Sequence, residues 1–187
     1  MRIIIAMTGA SGAIYGIRLL SYLSKMENIE VHLIISSWAQ KNIEYETNYS
    51  LEQVRDMCDI CHDETNMSAS IASGSFSHDG MVVIPCSVKT LASIAVGYDD
   101  NLISRAAGVT IKEGRKLILA VRETPLSPIH LENMLKLSRI GVTIMPPVPS
   151  FYSGQKTIDD LVDTFIGRVL NQLNIQNSLY KSWNGIV

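Results

Sequence analysis

The stretch from Arg2 to Leu20, RIIIAMTGASGAIYGIRLL, decides the fold. Ile3 to Met7 is a continuous apolar run, the pattern of a strand buried on both faces. Thr8-Gly9-Ala10-Ser11-Gly12 follows as a turn of small residues, and apolar positions then recur at helical spacing from Ile14 to Leu23. Strand, glycine turn and helix open a βαβ unit. Glu30 to Ile35 supplies its second strand, and Ser36-Ser37 can cap a helix that runs to about Glu46.

The same alternation continues outward from that unit. Asp79 to Pro85, Lys116 to Val121 and Val142 to Met145 read as strands; Ser87 to Val96, Leu102 to Lys112, Pro128 to Ser138 and Ile158 to Leu173 read as helices. Leu51 to Met57 is helical, and Ser68 to Ser77 is small and polar, a surface excursion with little to bury. These elements predict one α/β domain over residues 1–187, built on a parallel sheet with helices on both faces. The tail, residues 174–187, is polar, and its Tyr180 and Trp183 point to docking against a surface.

Hydrophobic residues make up 47% of the 187 and charged ones 18%, so the chain is expected to hide surface in a homo-oligomer. The formal charge of −2 argues against nucleic acid as the main partner. The early apolar run is too short for a signal-peptide core or a membrane span, which predicts a cytoplasmic protein with no membrane partner. Cys58, Cys61 and Cys86 then fit reduced thiols. Cys58-Asp59-Ile60-Cys61-His62 spells C-x-x-C-H, but it lies in a polar stretch expected to be helical and no second C-x-x-C exists, so a chance match on a solvated helix is the expectation. No redox role follows from the cysteine count, and the histidines fall in no ligand spacing, so no metal is expected.

In an open parallel sheet, ligands bind outside the carboxyl ends of the strands. The candidate walls are therefore Gly9-Ala10-Ser11-Gly12, Ser36-Ser37, Pro85 to Thr90, Arg122 to Pro125 and Pro146 to Tyr152. The first loop offers amide groups at a helix N-terminus, a phosphate cradle or else a tight packing turn. Gly9, Gly12 and Gly16 are not spaced as a dinucleotide fingerprint, and no P-loop lysine follows. Ser87, Lys89 and Thr90 suit capping or anion binding equally. Arg122-Glu123 reads as a surface ion pair or as site chemistry at a strand end.

Taken together, MTGASGAIYGIRLL, ASGS, DGMVVIPCSVKTLASIAVGYDDNLISRAAGV, KEGRKLILAVRETPLSPIHLENMLKL and PPVPSFY resemble the UbiX family of flavin prenyltransferases, in order from Ile3 to about Leu170. The chain is also similar to the B subunits of hydroxyarylic acid decarboxylases. The resemblance implies a Rossmann-like or flavodoxin-like subunit in a dodecamer, with FMN and dimethylallyl phosphate bound at subunit boundaries and the prenylated flavin passed to a UbiD-type decarboxylase. It assigns the flavin to Gly9, Ala10, Ser11, Ser36 or Ser37, Ser87, Val88, Lys89, Thr90 and Arg122. It assigns the isoprenyl phosphate to Lys112, Arg122, Tyr152 and Arg168, with Arg105 close by and Trp183 facing the prenyl group. Ser11 and Glu123 match residues linked to proton movement, and Glu46 matches a glutamate near the flavin. Two departures stand out: Gly108 replaces the family's Asp, and Met67 falls where some members carry tryptophan.

The implied reaction joins the allylic carbon to flavin N5, releases phosphate and closes a ring onto C6. Breaking an allylic C–O bond leaves negative charge on phosphate, so cations and a proton donor are needed there. Lys112, Arg122 and Arg168 supply the first, and Glu123 the second. The chain lacks the P-x-M-N-x-x-M-W motif of the related cysteine decarboxylases. A phenolic acid decarboxylase subunit and a non-enzymatic FMN carrier are the other readings; the second anion pocket goes beyond what a carrier needs.

Overall fold

A computed structural model describes residues 1–152, 154–180, 183 and 185. Six parallel strands form one sheet: β1 (Arg2–Met7), β2 (Glu30–Ile35), β3 (Ile60–His62), β4 (Gly80–Cys86), β5 (Lys116–Val121) and β6 (Thr143–Ile144). Their order is β3-β2-β1-β4-β5-β6. The chain thus winds outward from β1 in one direction and from β4 in the other, and the order reverses between these two neighbours.

The helices are α1 (Ala13–Leu23), α2 (Ser37–Glu46), α3 (Leu51–Arg55), α4 (Val88–Val96), α5 (Leu102–Lys112), α6 (Pro128–Arg139) and α7 (Ile158–Gln172). The period of two in β1 sorts them into layers. Ile3, Ile5 and Met7 pack in a core with residues of α1, α2 and α7, whereas Ile4 and Ala6 pack in another with residues of α4, α5 and α6. Each of these strand side chains is 0% exposed, which accounts for a run that shows no polar alternation.

Two expectations need correction. The segment around Cys58-Asp59-Ile60-Cys61-His62 is not a helix: α3 ends at Arg55, a turn follows, and Ile60–His62 is a strand that pairs with β2 alone among the described residues. Three residues are too few to show a period. The Ser68–Ser77 excursion does bury something, since Ile71 is 0% exposed and joins Ala69, Ala72 and Phe76 against the second core. The tail docks on its own chain as far as Tyr180: Ile175 is buried, and Asn177 Nδ2 donates to Gly167 O on α7 at 3.0 Å.

Candidate functional site

The switch point between β1 and β4 fixes where the site lies. Beyond their carboxyl ends opens a cleft of about 720 Å³, within the usual range for a cofactor-sized ligand. One buried side chain stitches its two central loops together. Thr8 Oγ1 donates to Pro85 O at 2.8 Å and accepts from Ser87 N at 2.7 Å, so the β1 and β4 loops move as one piece.

Helix N-termini meet this cleft from both sides of the stitch. Ser36 opens α2 by accepting from Ala39 N at 3.2 Å, and Ser87 opens α4 by accepting from Thr90 N at 3.3 Å. Their hydroxyls therefore cap, while the positive ends of the two helices point at the cleft. Gly9, Ala10 and Ser11 form the third wall, and Val88 and Lys89 extend the α4 wall. Gly9 N and Ser11 N have no partner among the described residues, which leaves two amides for an anion.

Gly9 is needed for space: a Cβ there would lie 2.5 Å from Trp38 Cβ. Trp38, 65% exposed, lines the cleft with its ring under Lys41 Nζ at 4.4 Å. The sequence reading missed it, although its place directly after the capping serines was a usable signal. Glu64 was also missed. It follows β3, and its Oε1 accepts from Ser37 N at 2.7 Å, closing the cleft on the β2 side.

Charge is distributed unevenly. Lys89 is tied to Asp100 at 2.7 Å, an ion pair that holds the Asp100 carboxyl below its usual range. Arg122 has no ion pair among the described residues, and it enters the cleft directly after β5 with Glu123 beside it. Glu123 Oε1 accepts from Thr124 N at 3.0 Å rather than pairing with Arg122. The surface ion-pair reading of Arg122-Glu123 therefore fails. A cleft floored by amides and hydroxyls, with one unneutralised guanidinium, suits a phosphorylated ligand with a flat apolar body against Trp38.

Comparison with known proteins agrees. The Flavoprotein family model matches residues 1–170. A protein of Escherichia coli O157:H7 named "Probable UbiX-like flavin prenyltransferase" is 51% identical over 186 residues, covering 100% of this chain and 94% of that one. The chain belongs to the UbiX-like flavin prenyltransferase family. Among solved structures, the dodecameric FMN-dependent UbiX-like decarboxylase from Escherichia coli O157:H7 superposes with a TM-score of 0.97 at 51% identity, covering 99% of this chain and 100% of that one. AnUbiX (PadA1), in complex with FMN and dimethylallyl pyrophosphate, gives a TM-score of 0.97 at 49% identity, with 100% and 98% covered.

The other residues expected at the site lie outside this cleft. Glu46 does not face it: its Oε2 accepts from Gly12 N at 2.7 Å and Ala13 N at 3.0 Å, so it caps α1 from the end of α2. The first turn of α1 is thereby closed to a phosphate. Gly12 sits at φ +102°, where glycine is favoured, and this turns the two amides toward Glu46. Arg105 is held by Ala72 O at 3.0 Å and Asp99 at 3.2 Å. At Gly108 a Cβ would point at Asp99 Oδ1, 3.2 Å away, so Asp99 occupies the space of the family's aspartate. Met67 is exposed and does not line the cleft.

Lys112 is the most distant. It ends the helix whose first turn brings Asn101 and Ile103 to the cleft, about 15 Å along the axis. Its Nζ pairs with Glu113 at 2.5 Å beside Gly74, toward the amino-terminal edge of the sheet. Arg168 lies in a separate cavity of about 410 Å³ lined by Pro146, Val148 and Pro149 and by the α7 face of Leu161, Thr164 and Phe165. Tyr15 lies between the two regions: its ring meets Phe165 edge-on at 5.3 Å, and burial pushes the pKa of its hydroxyl up against the opposing Arg122 charge. Tyr152 and Trp183 meet each other edge-on at 5.7 Å.

Gly9→Val tests the cradle. The valine would displace Trp38 and crowd the two free amides, so flavin affinity is expected to fall about tenfold or more. Titration of apoprotein with FMN measures this; full affinity would remove the first loop from the site.

Proposed function

We propose that the protein transfers a dimethylallyl group from dimethylallyl phosphate to N5 and C6 of reduced FMN, giving the prenylated flavin cofactor of a UbiD-type decarboxylase. The observation that carries this reading is Arg122, without an ion pair among the described residues, beside Glu123 in the lining of the cleft. A flavin carrier needs a cradle but no cation and acid at the open end.

On this reading Gly9, Ala10, Ser11, Ser36, Ser37, Ser87, Val88, Lys89 and Thr90 hold FMN through amides, hydroxyls and helix dipoles, with Trp38 beside its ring. Bound reduced flavin supplies the electron-rich nucleophile. Arg122 neutralises charge as it grows on the leaving phosphate, and Glu123 gives a proton to the departing oxygen, with Ser11 placed to relay protons across the cleft. Lys112, Arg168 and Tyr152 complete the donor pocket, Arg105 stands near it, and Trp183 shelters the prenyl group.

These donor-side residues are scattered over one chain, which fits a site assembled between copies in a homo-oligomer, a dodecamer like that of the E. coli neighbour. Exposed Ile129, Leu131, Leu135 and Ile140 on and after α6 offer apolar surface for such contacts. No helix among the described residues is long and apolar enough to cross a membrane, and a cytoplasmic location is proposed.

Anaerobic protein given FMNH₂ and dimethylallyl phosphate should release a flavin heavier by one prenyl unit, read by mass spectrometry. Running dimethylallyl diphosphate in parallel identifies the donor. If no flavin of higher mass forms with either, while the protein alone releases CO₂ from a phenolic acid, the decarboxylase reading replaces this one. Arg168→Ala should leave FMN affinity near normal and weaken dimethylallyl phosphate binding about 30-fold, as expected for loss of a charge-assisted pair. Lysine at the same position should restore part of it.

A further inference from the structure

Glu64 stands where two cavities meet. The cleft of about 720 Å³ and a neighbouring cavity of about 480 Å³ share Ser37 and Glu64 in their linings. These two residues are bonded to each other: Glu64 Oε1 accepts from Ser37 N at 2.7 Å, which lays a carboxylate across the boundary. The Glu64 backbone is held on both sides. Thr65 N and Oγ1 donate to Asp63 Oδ1 at 2.8 and 2.6 Å, a local turn that presents Glu64, and Glu64 O accepts at 2.8 Å from the N–H of Leu102, the first residue of α5. The partition is therefore tied to α2 and α5.

On the function proposed above, the flavin ring lies near Arg122 and Glu123, which follow β5. Ser37 follows β2, three strands away in the order β2-β1-β4-β5, or about 14 Å across the sheet. A flavin with its ring on the β5 side thus carries its ribityl phosphate toward α2 and Glu64. Beyond the partition, Gln40, Arg55 and His62 line the neighbouring cavity, a polar space suited to the adenylyl half of a dinucleotide. FMN ends on the cleft side. FAD must pass between Ser37 and Glu64 and carry a second phosphate past a carboxylate.

We propose that Glu64 is a specificity-determining residue that restricts the cleft to flavins ending in one phosphate, FMN rather than FAD. It acts in two ways: its bond to Ser37 closes the passage between the cavities, and its negative charge opposes the diphosphate that would lie there. This role presupposes that the cleft holds flavin, which Gly9→Val tests separately.

The test is calorimetric titration of full-length apoprotein with riboflavin, FMN and FAD, for wild type, Glu64→Gln and Glu64→Ala. Wild-type protein is expected to bind FAD at least about tenfold more weakly than FMN. Gln keeps the oxygen that accepts from Ser37 N but loses the charge, and should narrow that gap about threefold; Ala removes the partition as well and should narrow it about tenfold. Riboflavin, which has no phosphate, should bind all three proteins alike. Both substitutions leave the bond from Leu102 N to the backbone oxygen of residue 64 in place, so the fold is expected to persist. The role is overturned if wild type does not discriminate, if Glu64→Ala keeps the wild-type ratio of FMN to FAD affinity, or if riboflavin affinity shifts as much as that of FAD. Gly9→Val separates the two failures: an unchanged ratio together with loss of FMN affinity in Gly9→Val removes only the role of Glu64, whereas full FMN affinity in Gly9→Val removes the cleft as the flavin site and this role with it.

Discussion

Glu123→Gln is expected to bind FMN and dimethylallyl phosphate normally and to lose turnover by a factor of about 10²–10⁴, the usual contribution of a positioned proton donor. Gln keeps the length and the carbonyl oxygen that accepts from Thr124 N, so the β5 loop should keep its shape. The amide cannot deliver a proton to the phosphate oxygen as the C–O bond breaks. The loss should therefore appear in kcat with little change in KM. Single-turnover measurement of the prenylated flavin distinguishes this from slow product release. Turnover at the wild-type rate would mean that phosphate departs without help from Glu123, and would return that residue to a structural role at the strand end.

The placement of Glu123 shows what made much of the site legible. In a parallel sheet the loops after the strands converge by topology, so finding β1, β2, β4 and β5 in the sequence was enough to gather Gly9, Ser37, Ser87, Arg122 and Glu123 around one cleft. Those strands were readable because both faces are covered. The edge strand β3 is short and half exposed; it left no such trace, and Glu64 beyond it was lost as well. Glu46 was legible only through the resemblance. Its position matched the resemblance, but its carboxylate reaches across to α1 from 33 and 34 residues away, a long-range cap with no pattern in the local sequence. The stitch made by Thr8 is equally silent, since a threonine after a strand has many uses.

Lys112 exposes a different limit, because its sequence match carries no information about which copy of the chain it serves. A helix of eleven residues separates it from the cleft that its own first turn borders, and no side chain spans that gap. If Lys112 holds the same phosphate as Arg122, the two must come from different copies. Lys112→Ala and Arg122→Ala, expressed singly, should each lower kcat by about 10²–10³, as for loss of one group that stabilises developing charge. Co-expressed in equal amounts they should recover activity, because a site that draws Arg122 from one copy and Lys112 from another is intact in about one quarter of random pairings. Recovery toward that fraction, in mixed oligomers verified by mass, would establish the shared pocket. No recovery would place both residues in the same chain's reaction, which the helix geometry forbids, or remove Lys112 from the chemistry altogether; normal activity of Lys112→Ala alone would select the second. If Lys112 takes part in the reaction, the distance along α5 makes the oligomer a condition of catalysis rather than a packing convenience.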